Sequence, residues 1–188
     1  MNTTQSKQTA EQAIAALDLR PIKVKLMDAH GGEDWNQEYT DHVEVWYRRF
    51  LLLSQKYPTK PIVVNQAIDT FWHYHILDTR KYAEDCQAVF GHFFHHFPYF
   101  GMRGEQDAKD LQMCFGETMQ LIKQEFGESL EDAFGSRWEA ENRPTRTEQP
   151  RFKGASCSDC GGPSNAAGDD DSTIAFFRNR PTLSIKVA

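Results

Sequence analysis

The sequence predicts an all-α protein, a compact multi-helix domain of about five to six helices followed by a flexible C-terminal tail. Apolar residues recur at spacings of three and four through much of the chain before residue 142, the period of a helix packed on one side. Hydrophobic residues make up 39% of the 188 residues, enough for a core without disulfides. From Asn142 the composition shifts to Pro, Arg, Gly, Ser and Asp, which favours an irregular segment. We therefore assign residues 1–141 to the helical domain and residues 142–188 to the tail.

The first half of the predicted domain contains two short helices and one clear long helix. A short helix is expected at about residues 9–17, and beyond Pro21 the apolar residues at 22, 24 and 26 either alternate or begin a second one. The long helix ends near Tyr57-Pro58, since proline cannot continue the hydrogen-bond ladder, and Pro61 then favours an extended segment. The apolar face of this long helix comprises Val43, Trp46, Tyr47, Phe50 and Leu51.

The second half of the domain is predicted to alternate helices with one compact loop. Asp78 and Thr79 are residue types that begin helices, whereas Gly91 and Gly127 are of the type that ends them. The segment after Gly91 is rich in Phe and interrupted by proline and glycine, so it is predicted to be a loop. These signals place helices at about residues 65–77, 79–90, 105–126 and, for one or two turns, 130–138.

The composition restricts the functional classes open to the chain. The formal charge of -6 disfavours nucleic acid as a partner, because a phosphate backbone is bound by clustered Lys and Arg. No apolar run approaches the roughly 20 residues of a membrane-spanning helix, and residues 1–10 lack the apolar core of a signal peptide. The four cysteines do not form the pattern of a disulfide framework. We therefore expect a cytoplasmic protein without a membrane segment.

Five of the seven histidines fall between His73 and His96, and a histidine in a helix or core needs partners for its ring nitrogens. Asp69 and His73 are four residues apart and share a helix face. His75 lies about 200° around the helix from His73, so the two rings cannot bind one metal from the same side of a regular helix. We expect His75 to point towards the core beside Trp72.

A metal site fits the first of these faces. It combines Asp69 and His73 with His95 or His96 from the following loop. Two imidazoles and one carboxylate are the ligand set of non-haem iron sites and of many zinc sites. Such a set leaves coordination positions open for water, substrate or dioxygen.

Other roles for these residues stay open at this point. A second metal site would combine His75 with Cys86 or His92, and its softer ligands favour zinc. A purely structural role is also compatible with the pattern. Asp69 can hydrogen-bond His73 along the helix, and His75 can be a core histidine held by a backbone carbonyl.

The run from residue 68 to residue 91 carries a long pattern, D-x-x-W-x-x-H followed by Y-x-x-D-C-x-x-x-x-G. This pattern resembles the signature of the glycine-rich-domain-containing-protein-like family, and the run from His95 to Gly101 resembles its bacterial branch. The resemblance covers roughly residues 18–135. It implies a link to development and stress responses, as in plant relatives, and it brings no catalytic residue with it. The matching positions are Asp69, Trp72, His75, Tyr82, Asp85, Cys86 and Gly91.

The predicted tail contains a Cys-x-x-Cys pair, Cys157 and Cys160. No second pair lies at zinc-knuckle spacing, and no strand and helix flank it as in thioredoxin-like sites. It is either a redox or metal-delivery segment that visits the histidines or a thiol pair without a role. Alternating apolar residues at 183, 185 and 187 predict a strand that docks on the domain.

Three functions are compatible with the sequence. The first is a metalloprotein, with oxidative or hydrolytic activity as one possibility, that uses the Asp69–His73 face. The second is an interaction module whose aromatic loop, residues 97–100, presents an apolar surface to a protein partner; this requires exposed aromatic rings. The third is a small-molecule pocket lined by Trp72, Tyr82 and His75.

Overall fold

A computed structural model of the chain describes residues 9–135 and the short segment 156–158. Within these residues the chain forms seven helices, against an expected five or six, so the predicted all-α class is confirmed. The remainder of the predicted tail, including Cys160, lies outside the described residues. The helices are α1 (Ala10–Ala16), α2 (Arg20–Met27), α3 (Gln37–Lys56), α4 (Gln66–Leu77), α5 (Thr79–Val89), α6 (Glu105–Phe126) and α7 (Leu130–Phe134).

The helices begin and end where the sequence supplies capping groups. The Thr9 hydroxyl accepts a hydrogen bond from the Gln12 N–H, and the Gln12 side chain accepts one from the Thr9 N–H, which forms a capping box on α1. Pro21 lies in the first turn of α2, where its missing N–H has no helical partner to lose, so the ambiguous segment 22–26 is helical. The Asn65 side chain caps α4. Gly127, at a φ of 72°, ends α6 in the left-handed conformation.

Helix α4 lies at the centre of the main core, where it packs against α2, α3 and α5. Eight of its 12 residues are buried. The Trp72 ring of α4 lies 4.9 Å from the Phe50 ring of α3, and Phe71 stacks on Tyr47 at the same distance between centroids. Because burial removes water from most of this helix, each of its buried polar side chains needs partners within the protein.

Three short strands form a small antiparallel sheet: β1 (Ile62–Val64), β2 (His96–Phe97) and β3 (Ser156–Ser158). Strand β3 lies in the middle, although it belongs to a segment predicted to be irregular. The docking strand predicted at residues 183–187 lies outside the described residues. Near this sheet a second, smaller hydrophobic cluster comprises Val63, Phe97, Phe100 and Cys114.

Helix α6 is the longest described helix, with 22 residues, and it packs on β1. The Thr118 hydroxyl accepts a hydrogen bond from the Val63 N–H at 3.0 Å and donates one to the Cys114 carbonyl at 2.9 Å. The first of these bonds ties the helix to the strand, and the second orients the hydroxyl within the helix. Neither α6 nor any other described helix has both the length and the apolar character that crossing a membrane requires.

Candidate metal centre

Three side chains from two separate segments converge beside α4. Asp69 and His73 belong to that helix and His96 to β2, and one ligand atom of each lies within 4.8 Å of the others. His96 Nε2 lies 3.1 Å from Asp69 Oδ1, and His73 Nδ1 lies 3.3 Å from Asp69 Oδ2. The centroids of the two imidazole rings are 4.4 Å apart. Of the two neighbouring loop histidines, the structure therefore brings His96 to this helix face, while His95 is exposed.

The local structure explains how each member reaches the cluster. Asp69 lies in the first turn of α4, where a negative charge interacts favourably with the helix dipole. His73 follows four residues later on the same face, and its Nδ1 also lies 2.8 Å from the Asp69 carbonyl oxygen. His96 lies 27 residues beyond Asp69 in the sequence. Its ring contacts that of Trp72, with 4.5 Å between centroids.

The cluster is buried but opens to solvent on one side. The side chains of Asp69 and His96 are 3% and 7% exposed, whereas that of His73 is 18% exposed. Burial alone would lower the pKa of His73, but hydrogen bonding and charge attraction from Asp69 outweigh it, so the pKa lies above its ordinary value of 6.5. The carboxylate thus stabilises positive charge at this position, whether a proton or a metal ion carries that charge.

The distances within the cluster suit a metal ion as well as hydrogen bonds. Ligand atoms bound to one zinc ion at about 2.0–2.2 Å in tetrahedral geometry lie about 3.3 Å from each other. Two separations in the cluster are close to that value, although they involve different carboxylate oxygens: 3.1 Å from Asp69 Oδ1 to His96 and 3.3 Å from Asp69 Oδ2 to His73. Two neutral imidazoles and a carboxylate are ligands that both zinc and ferrous iron accept. The ligand atoms of all three residues lie within 4.8 Å of one another, so the set can reach one divalent metal once the rings move towards it.

His75 lies on the opposite face of α4, in a network of its own. It is 1% exposed, and its Nδ1 lies 2.8 Å from the Tyr47 hydroxyl. Its Nε2 lies 2.8 Å from Asp85 Oδ2, which also accepts a hydrogen bond from Lys81 at 2.8 Å. Both ring nitrogens thus have protein partners, and His75 is not among the three converging side chains. Sequence reasoning placed His75 in the core but missed Tyr47 and Asp85 as its partners.

The charges in this second network compensate one another. Burial alone would raise the pKa of Asp85, but the hydrogen bonds from His75 and Lys81 outweigh this effect. The pKa of this carboxyl therefore lies below its ordinary value of 3.8. Burial raises the pKa of Tyr47 well above its ordinary value, which keeps the phenol protonated. This chain of bonds connects α3, α4 and α5 and is typical of a structural polar network.

The chain matches a known protein-family model. The model of the UCP032817-like family matches residues 10–126, which is more than half of the chain. The chain belongs to the UCP032817-like family. The resemblance to glycine-rich-domain-containing proteins is therefore wrong as an assignment, because the matching family is a different one. No curated protein and no solved structure matches the chain.

In this UCP032817-like chain, the pattern that suggested the other family has a structural explanation. Its residues pair across α4 and α5: the Trp72 Nε1–H donates to the Tyr82 hydroxyl at 2.8 Å, and His75 bonds Asp85. A buried indole N–H or phenol needs a partner, so the aromatic residues carried a signal that could have predicted the first pair. Shared packing of two helices is thus sufficient to account for these spacings.

The alternative zinc site, which joined His75 to Cys86 or His92, is not among the groups of three or more ligand-type side chains that converge in the described residues. Burial raises the pKa of the Cys86 thiol, which opposes the thiolate that a metal needs. The His92 ring lies near Phe90, with 6.0 Å between centroids, and His95 lies 4.9 Å from Phe93. Neither ring belongs to the group of three ligand-type side chains.

Two other hypotheses from the sequence, an aromatic docking loop and a pocket beside Trp72, depend on how exposed their residues are. Phe97 and Phe100 are 2% and 6% exposed, so these two rings of the aromatic loop pack inward and are not available to a partner. Trp72, Tyr82 and His75 are buried and pack closely against one another and against neighbouring rings. A cleft of about 560 Å³ lies elsewhere, lined by Pro21, Ile22, Lys25, Gly31, Tyr74, Leu77 and Asp78.

Proposed function

We propose that the protein binds one divalent metal ion, zinc or ferrous iron, through Asp69, His73 and His96. The observation that carries the proposal is the convergence of two imidazoles and one carboxylate from segments 27 residues apart. Asp69 and His73 lie close together simply because they are four residues apart on one helix. The third ligand-type side chain, His96, is brought there by the tertiary fold. Here a loop and a short strand deliver it.

The comparison with His75 supports this choice of residues. His75 has one phenol and one carboxylate, each directed at a different ring nitrogen, so its polar groups are paired without a metal. At the other face, one buried carboxylate lies between two imidazoles, and the ring of His73 reaches solvent. A metal ion needs an entry path from solvent, and the partly exposed ring of His73 provides one.

A metal held by three protein ligands keeps at least one coordination position open, and at such a position it lowers the pKa of bound water and polarises oxygen atoms of a substrate. We therefore extend the proposal to a metal-dependent enzyme of hydrolytic or oxidative type. The protein's own contribution would be to fix the three ligands. The buried carboxylate of Asp69 would offset the positive charge of the ion, and the low exposure of His96 would limit water on the inner side.

The adjacent histidines His95 and His96 provide a matched pair of variants to test metal binding. Apo protein without a polyhistidine tag is titrated with zinc and, under anaerobic conditions, with ferrous iron, in competition with a chromophoric chelator. We expect one equivalent to bind to the wild type. His73→Ala and His96→Ala should each weaken binding by a factor of 100 or more, on the order of 3 kcal/mol.

His95→Ala is the control, because it removes an exposed imidazole from the neighbouring position and should leave the affinity unchanged. Equal losses in His95→Ala and His96→Ala would indicate binding at the surface rather than in the cluster. Stoichiometry well below one in the wild type, for both metals, would refute metal binding and leave a hydrogen-bonded structural cluster.

A further inference from the structure

We propose that Tyr82 is a positioning residue of the metal centre, because its phenol fixes the loop that carries His96 against α4. This inference rests on the proposed function of the cluster. Tyr82 does not touch the ligand-type atoms; it acts on His96 through the backbone two residues earlier in the chain.

The phenol joins three elements at one oxygen. Its oxygen accepts a hydrogen bond from the Trp72 Nε1–H at 2.8 Å, and its O–H donates to the backbone carbonyl of Phe94. Tyr82 is 2% exposed, and burial raises its pKa, so the phenol keeps the proton that it donates. One hydroxyl on α5 therefore connects a side chain of α4 to the loop after α5.

Ring packing holds the loop at the same place. The Phe94 ring stacks on Phe90 at 4.4 Å and on Trp72 at 5.1 Å between centroids, and it is 4% exposed. The Trp72 ring also contacts the His96 ring, with 4.5 Å between their centroids. Trp72 thus contacts both the loop anchor and the ligand-type ring, and Tyr82 holds the indole in that position.

The consequence for the metal centre follows from distance. A loop of two residues after an anchored carbonyl has little freedom, so the position of Phe94 limits the position of the His96 ring. A shift of about 1 Å moves a ligand out of its coordination distance, since metal–nitrogen distances vary by only about 0.2 Å. Groups that orient a ligand in this way typically change metal affinity by about 10- to 100-fold when they are removed.

Two tyrosines allow a matched experiment. Tyr82→Phe deletes the hydroxyl that anchors the loop, whereas Tyr47→Phe deletes another buried hydroxyl that bonds α4, through His75, without touching the loop. Each variant leaves buried polar groups without a partner, so both should lose stability. Affinity for zinc is measured by chelator competition under conditions where circular dichroism shows each variant to be folded, and cobalt-substituted protein reports ligand geometry through its visible absorption.

We expect Tyr82→Phe to raise the Kd for zinc by about 10- to 100-fold and to alter the cobalt spectrum. Tyr47→Phe should leave the Kd for zinc within about twofold of the wild type and the cobalt spectrum unchanged. If Tyr82→Phe does not fold, Trp72→Phe replaces it: this change removes the indole donor and should weaken zinc binding in the same direction, by at least threefold.

The outcomes separate the two proposals. Wild-type protein that binds no zinc or iron refutes the metal centre and, with it, the positioning role. Wild-type protein that binds zinc, with an unchanged Kd and cobalt spectrum in Tyr82→Phe, refutes the positioning role alone. Equal effects in Tyr82→Phe and Tyr47→Phe would also refute it, because a general loss of stability would then explain the change.

Discussion

His73 and His75 are two residues apart on one helix and each lies beside a carboxylate, yet their exposure and their other partners differ. His73 is partly exposed and shares a buried carboxylate with a second imidazole. His75 is fully buried, and its two nitrogens face one hydroxyl and one carboxylate. The turn of about 200° between them places one ring at an opening of the structure and the other in the core.

The difference shows how a candidate ligand is distinguished from a structural histidine. A histidine whose two nitrogens each have a dedicated partner has no lone pair to offer a metal without losing a buried hydrogen bond. A pair of histidines around one carboxylate can exchange that hydrogen bonding for coordination. Clustering in the sequence does not make this distinction, because both kinds of histidine occur in the same stretch.

The largest expected effect concerns stability. His75→Leu removes both hydrogen bonds of the ring and leaves the buried Tyr47 hydroxyl without this partner, so it should cost about 3 kcal/mol in the free energy of unfolding. His73→Leu should cost about 1 kcal/mol, because the ring is partly exposed and His96 still contacts Asp69. Urea unfolding of the apo proteins, in the presence of a chelator, measures the loss of stability in both variants. A larger loss for His73→Leu would reverse the assignment of structural and ligand roles.

The second prediction uses Asp85, the carboxylate of the structural network. Its pKa is lowered by folding, so it contributes stability above its ordinary pKa of 3.8, and this contribution is lost as the pH falls through the lowered value. Asp85→Asn should cost about 2 kcal/mol at neutral pH. The gap between the two proteins should narrow as the pH falls below 3.8. A gap that stays constant down to acid unfolding would show that the charge of Asp85 is not what His75 and Lys81 require.

The smallest expected effect is at His73. Because folding raises its pKa above 6.5, protonation of His73 stabilises the apo protein below that pH, and this stability is lost as the pH rises through the folded pKa. Asp69→Asn removes the charge that raises the pKa, so the His73 titration followed by NMR should move to lower pH. Metal binding needs the neutral His73 ring, so the affinity for metal should increase as the pH rises through this window. An unchanged titration in Asp69→Asn would contradict the electrostatic account of the cluster.

Much of the helical framework was predictable, because helix ends and apolar faces are local properties. The α6 helix has the bounds that its spacing and Gly127 predicted, and the opposite orientations of His73 and His75 follow from helix geometry alone. The choice between His95 and His96 was not predictable. Successive residues at a strand face opposite sides, and which of the two faces α4 depends on contacts between distant segments, such as the pairing of β2 with β3.

Contacts between distant segments account for the other gaps. Tyr47 bonds His75 across 28 residues of sequence, and no local pattern indicates that pairing. The β3 strand lies in a stretch whose Gly- and Ser-rich composition predicts irregular structure, but its backbone pairs with β1 and β2. Backbone pairing of this kind depends little on side-chain type, so composition is a weak guide to it.

Metal analysis of protein purified without a polyhistidine tag tests the central claim most directly. Wild-type protein and Asp69→Asn, which keeps the side-chain shape but removes the charge, are expressed in medium supplemented with zinc and iron and analysed by mass spectrometry. We expect close to one equivalent of zinc or iron in the wild type and less than a tenth of that in Asp69→Asn. Wild-type protein without either metal, or an equal content in both proteins, would contradict a metal centre at Asp69, His73 and His96.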